Sequence, residues 1–185
     1  MQDAEIIELF FERSEQAIGE LAQAHGGAVS RVAYNILGNP RDTEECVNDT
    51  WLAAWNTIPP ERPSPLRTFV CRIARNLATK RYHANKAWKR NSLYDVVLDE
   101  LAECIPDKST VENELDAKEL ASAIDSFLDT LSYPDRFLFM RRYWYSDPLE
   151  DISAAVGLSY GAVSVRLHRI KGKLKTYLTK EGFSV

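Results

Sequence analysis

The 185-residue chain has no apolar run long enough to span a bilayer and no basic-then-apolar leader at its N-terminus. It is therefore expected to be cytoplasmic, with no membrane insertion. Cys46, Cys71 and Cys104 are odd in number and widely spaced, with no C-x-x-C pair. That argues against a disulfide framework, and the three histidines do not join them in a ligand cluster, so no metal or other cofactor is expected. Buried thiols in a reducing compartment are the simpler reading. Glycine and proline are sparse, eight of each, and there are no convincing runs of alternating strand pattern. The apolar residues that make up much of the 45% hydrophobic content recur at helical spacing. The expected class is all-α: two small helical domains joined by an acidic linker, the second ending in a helix-turn-helix.

The net charge of −4 conceals its distribution. Residues 3–49 hold ten acidic and three basic side chains, and residues 95–129 hold eleven and two. Residues 66–90 carry eight basic and no acidic ones, and residues 152–180 carry six and none. Two separate basic blocks in an acidic protein suit two nucleic-acid footprints, with acidic surface left for another partner.

The stretch 149–178 is the most informative. Ile152 and Val156 recur at helical spacing before Gly157; Val163, Leu167, Ile170, Leu174 and Leu178 do so after it. Gly157 can take the left-handed conformation of a sharp turn, and Ser159 suits the N-cap of the next helix. A tight turn leading into a longer helix bearing Arg166, Arg169, Lys171, Lys173 and Lys175 predicts a helix-turn-helix, whose second helix enters a DNA major groove. An ordinary antiparallel helix pair with a solvated basic face is the alternative.

Upstream, residues 5–12 and 15–37 read as helices, the second with a kink at Gly26-Gly27. Gly38 ends it, and Asn39-Pro40 restarts the chain as N-cap and first helical residue. This third helix is expected to run to Ile58, with Val47, Trp51, Ala54 and Ile58 inward. Glu45, Asn48 and Asp49 share another face, which is either a capping and dipole complement or a docking edge for a basic partner. After the proline-stiffened loop 59–65, residues 66–90 predict a long helix with Leu66, Phe69, Val70, Ile73 and Leu77 inward. Arg67, Arg72, Arg75, Asn76, Lys80, Arg81, Lys86, Lys89 and Arg90 are left for other faces, among Tyr82, His83 and Trp88. Cations mixed with aromatics suit phosphate and unstacked bases. The expected domains are 1–93 and 112–185, with 94–111 as an acidic linker that shields the basic faces. Helices resume at 111–131 and 133–145, and Asp147-Pro148 repeats the cap-then-proline start.

Residues 35–58 (NILGNPRDTEECVNDTWLAAWNTI) and 67–86 (RTFVCRIARNLATKRYHANK) resemble conserved region two of the bacterial RNA polymerase sigma factors of the sigma-70 family, extracytoplasmic-function (ECF) type. Residues 131–178 resemble region four. Asn48 stands where glutamine is usual, Trp51 where phenylalanine is, and Ser153 where alanine is; the loop 59–65 departs further from the common pattern. The resemblance implies a non-enzymatic promoter-specificity subunit. Its partners would be core RNA polymerase, through the β′ clamp helices and the β flap, promoter DNA, and an anti-sigma factor. It assigns Glu45, Asn48 and Asp49 to the β′ clamp helices. It assigns Arg67, Arg72, Arg75, Asn76, Lys80 and Arg81 to the −10 element. Ser159, Tyr160, Gly161, Ser164, Val165, Arg166, His168, Arg169 and Lys173 fall to the −35 element. A stand-alone helix-turn-helix regulator is the rival reading. A DNA recombinase is a second, disfavoured because Ser14 and Ser30 lie in amphipathic helical stretches rather than in a strand-rich catalytic fold.

Overall fold

The structure is a computed structural model that describes residues 1–84, 93–106 and 114–185. Among these residues it is all-α, and it divides into two compact units, Met1–Tyr94 and Asp95–Val185. Lys86, Trp88, Lys89 and Arg90 of the first basic block lie outside the described residues, as does the expected boundary at 111–112.

The first unit contains α1 (Asp3–Phe11), α2 (Gln16–Leu37), α3 (Pro40–Thr57) and α4 (Leu66–Ala84). Helix α2 is continuous through Gly26-Gly27, where the sequence suggests a kink. Tertiary packing of its apolar stripe outweighs the poor helix propensity of two glycines. It ends at Gly38, whose φ of 67° is left-handed and whose N–H donates to the Tyr34 carbonyl. Asn39 then caps α3, its side chain accepting from Asp42 N at 2.8 Å, with Pro40 leading the first turn.

The core lies where α2, α3 and α4 meet. Its α3 face is rotated by about one residue from the expected stripe: Cys46 is buried and Val47 only half-buried, while Thr43, Thr50, Trp51 and Ala54 complete the inward side. Thr50 can be buried because its hydroxyl donates to the Cys46 carbonyl at 2.7 Å, within its own helix. In α4 the fully buried residues are Leu66, Val70, Cys71, Ala74 and Ala78, whereas Phe69, Ile73 and Leu77 flank them half-exposed. Small residues at the centre of the stripe let the helices approach closely, and the larger ones close the sides. The Cys46 thiol reaches the Ala74 carbonyl at 3.6 Å across this contact.

The second unit takes in most of α5 (Leu93–Ala102), then α6 (Glu114–Thr130), α7 (Tyr133–Phe139), a π-helical turn (Met140–Trp144), α8 (Leu149–Val156) and α9 (Tyr160–Lys180). The acidic composition of residues 94–111 suggests a linker. The apolar residues Val96, Val97, Leu98 and Leu101 suggest a short helix within it, and they fall in α5. Val97 and Cys104 belong to the core that α9 lines with Val163, Leu167, Ile170, Leu174 and Leu178, so the described part of the stretch packs in the second unit. The single helix expected over 133–145 changes to π geometry at Met140.

Asp147 is not the cap that its position before Pro148 suggests. Ser146 takes a φ of 55°, and Asp147 turns inward to pair with Arg141 and is only 1% exposed. Beside it Arg142, 2% exposed, grips the Glu100 carboxylate through Nε and an Nη at 3.1 and 2.6 Å, and donates to the Asp147 carbonyl at 3.0 Å. A guanidinium this deep needs every donor answered, and α5 supplies the carboxylate.

Candidate functional site

Three surfaces carry the side chains singled out from the sequence. The first is the outer face of α3. Its N-terminal half is acidic because carboxylates are stabilised at the positive end of a helix, and the i, i+3, i+4 spacing brings Glu45, Asn48 and Asp49 onto one exposed strip. This strip is not a bare carboxylate pair. Arg81, from α4, donates to Glu45 Oε2 at 2.6 Å and to Asp49 Oδ2 at 3.1 Å, and reaches the Asp42 carbonyl at 3.4 Å. Its side chain is 25% exposed, against 55% and 52% for the two acids. Charge alone groups Arg81 with the DNA-facing cations. The sequence could not place it with Glu45 and Asp49, because the pairing depends on how α3 crosses α4.

The second surface is the exposed side of α4. Arg67, Arg72, Asn76 and Lys80 are exposed and Arg75 is half-buried. Arg72, Asn76 and Lys80 follow at intervals of four and so form one stripe. The Arg72 guanidinium lies 5.6 Å from the Phe69 ring centroid. A row of cations with an amide in the middle can bind a phosphate backbone and hydrogen-bond one base edge.

The third surface is the start of α9. Gly157, at φ 67°, closes α8, and its N–H donates to the Ser153 carbonyl. Ser159 caps α9, accepting from Ala162 N at 3.3 Å. The α9 side chains then separate by face. Tyr160, Gly161, Val165, His168, Arg169 and Lys173 are exposed and Ser164 is half-buried. Arg166 pairs with Asp135 of α7 at 2.5 Å and lines a groove with Gly161, Val165, Arg169 and Lys173.

Lys171 and Lys175 point elsewhere. The Lys171 ammonium donates to the Glu100 carbonyl at 3.2 Å and to Glu103 Oε2 at 3.0 Å, and Lys175 donates to the Glu103 carbonyl at 3.4 Å. Both thus satisfy carbonyls at the end of α5, where cations complement the helix dipole. The Lys171 hydrogen bond holds the Glu103 carboxyl below its usual range. Of the five cations from Arg166 to Lys175, the groove has three and the α5 contact has two. Nothing in the sequence singles out Asp135, Glu100 or Glu103. They read as solvated surface acids, and only their partners distinguish them.

No group of three or more potential metal ligands occurs among the described residues, and none of their helices is long and apolar enough to cross a membrane. Burial pushes the Tyr143 hydroxyl well above its ordinary range and the Cys46 thiol up to about 11. Neither group is suited to act as a base or nucleophile near neutral pH.

The family model described as Sigma-70 region 2 matches residues 21–88, a span that holds both the acidic strip of α3 and the basic stripe of α4. The chain is 25% identical over 162 residues to the ECF RNA polymerase sigma factor SigE of Mycolicibacterium smegmatis, a match covering 87% of this chain and 61% of that protein. It is 26% identical over 183 residues to the RNA polymerase sigma factor NccH of Alcaligenes xylosoxydans xylosoxydans, covering 96% and 97% of the two chains. The chain is also similar to a solved structure of CnrH in complex with the cytosolic domain of CnrY, with 23% identity, 96% and 97% coverage and a TM-score of 0.45.

Proposed function

Because the chain belongs to the sigma-70 family of RNA polymerase sigma factors, in its extracytoplasmic-function group, we propose that it binds core RNA polymerase and directs transcription initiation at promoters with −10 and −35 elements. The observation that carries this reading is the juxtaposition in the first unit. One helix presents exposed Glu45, Asn48 and Asp49, and the helix packed on it presents the Arg72, Asn76 and Lys80 stripe. The acidic strip suits a basic helical surface of the polymerase, namely the β′ clamp helices. The α4 stripe, with Arg67 and Arg75 beside it, suits the non-template strand of the −10 element. Melting exposes bases there, and flipping one costs a few kcal/mol, so backbone cations beside a base-reading amide are a sensible arrangement.

In the second unit α8, the Gly157 turn and α9 act as a helix-turn-helix. Tyr160, Ser164, Val165, His168 and Arg169 face the −35 element, while Ser159, Gly161, Arg166 and Lys173 flank them. The β flap and an anti-sigma factor are further partners. The protein works in the cytoplasm beside the polymerase and performs no covalent chemistry itself.

Assembly tests this reading. Asp49→Lys is expected to prevent the protein from co-migrating with core polymerase, while its circular dichroism and thermal melting stay those of the wild type. Normal assembly of that variant would put the docking surface elsewhere. A stand-alone regulator would instead bind its operator tightly without polymerase, in a band shift at stated salt.

A further inference from the structure

Arg81 is anchored entirely on α3. Its two terminal nitrogens reach Glu45 Oε2, Asp49 Oδ2 and the Asp42 carbonyl, and it sits about 100° around the helix from Lys80, off the Arg72–Asn76–Lys80 stripe. Each carboxylate uses one oxygen for Arg81. The other Glu45 oxygen lies 4.0 Å from Nε of Arg41, whose side chain is 90% exposed. We propose that Arg81 is a positioning residue for polymerase docking: its guanidinium fixes Glu45 and Asp49 in the rotamers that a cationic partner surface meets. The inference rests on the docking role given to these acids above, and it moves Arg81 from the DNA-contact set to that surface.

Two opposing effects decide what Arg81 contributes. Its charge weakens the attraction of the edge for a basic partner, but salt screens that effect beyond about 8 Å at physiological ionic strength. Its fork also holds two exposed side chains in one geometry, and this ordering, complete before the partner arrives, is not screened. At physiological salt the ordering outweighs the repulsion. Lysine cannot replace arginine in the role, because a single ammonium on a flexible stem does not form a planar fork bridging two carboxylates.

The test compares full-length wild type with Arg81→Ala, Arg81→Lys and the double variant Glu45→Gln/Asp49→Asn, the last with and without Arg81→Ala. Association with core RNA polymerase at physiological salt is measured alongside binding to a short single-stranded DNA of mixed sequence. Arg81→Ala is expected to weaken polymerase binding about tenfold, with Arg81→Lys recovering little of it. The salt slope of single-strand binding should stay at the wild-type value. In the Glu45→Gln/Asp49→Asn background, Arg81→Ala should have no further effect on polymerase binding.

An unchanged polymerase affinity in Arg81→Ala, or full recovery by Arg81→Lys, overturns the proposal. So does a salt slope shallower by about 0.7, the loss of one single-strand phosphate contact. A loss of polymerase binding that persists undiminished in the Glu45→Gln/Asp49→Asn background also overturns it, because the effect would then be one of general stability. If the docking reading itself is wrong, Glu45→Gln/Asp49→Asn alone leaves polymerase binding intact. That result is distinct from a failure of the Arg81 proposal, in which the double variant is weakened and Arg81→Ala is not.

Discussion

Cys46 and Glu45 are consecutive residues of α3, about 100° apart around it, one facing the core and the other solvent. Glu45 is exposed and held by Arg81; Cys46 is 1% exposed, and burial pushes its thiol up to about 11 from an ordinary 9.0. Between those two values the folded protein keeps a proton that the unfolded chain has released. Cys46 therefore supports the folded state fully below about pH 9, and that support is lost as the pH rises toward 11. Unfolding free energies from urea titration should fall between pH 8 and pH 10, and the fall should be smaller in Cys46→Ala by about 1 kcal/mol. Equal falls in the two proteins would show that Cys46 ionises freely in the fold. The sequence pointed to buried thiols, and all three cysteines are buried, but it did not place Cys46 rather than Val47 on the inward stripe of α3. A stripe through Val47, Trp51 and Ala54 and one through Cys46, Thr50 and Ala54 fit the helical period about equally. The polar-capable side chains of Cys46 and Thr50 disguise how apolar the buried stripe becomes once Thr50 bonds within its own helix.

Periodicity identified α9 more completely than any other element. Its five buried residues, Val163 to Leu178, are those the apolar spacing selected, because they form a single uninterrupted stripe facing one core. The turn before it was equally readable, since few residues besides glycine sit comfortably at φ 67°. A Cβ on Gly157 would meet nothing within 4 Å, so Gly157→Ala costs only backbone strain. It should lower the stability of the protein by about 1 kcal/mol in urea unfolding. A neutral substitution would mean that the turn can relax into another conformation.

The π turn at Met140–Trp144 and the inward rotation of Asp147 could not be read in the same way. Asp-Pro before a helix is ordinarily a cap, and here the neighbouring Arg141 and Arg142, with Glu100 arriving from α5, help make burial of Asp147 favourable. Nor could α5 itself be read as part of the second core. Its acids suggested a linker, whereas Glu100 and Glu103 answer Arg142 and Lys171.

At the scale of the whole molecule, the two basic blocks seen in the sequence remain the chief guide to function, but the structure commits part of each to contacts within its own unit. In the first unit Arg81 is committed to the acidic strip, while Arg72 and Lys80 stay on the exposed stripe. In the second, Lys171 and Lys175 close the end of α5, while Arg169 and Lys173 line the α9 groove and Arg166 pairs with Asp135. Among the described residues few cations are then left on each surface, and the affinity of either set for DNA should be weak and steeply salt-dependent. Joining both to one polymerase converts two weak contacts into a strong one by effective concentration. That is the physical reason a promoter-specificity subunit fits this chain better than a solitary regulator.

The central claim is tested most directly by adding the purified protein to core RNA polymerase and sequencing the 5′ ends of transcripts from genomic DNA. The account predicts a discrete set of new start sites whose upstream DNA shares a −35 and a −10 element. Start sites indistinguishable from those of core polymerase alone would contradict it.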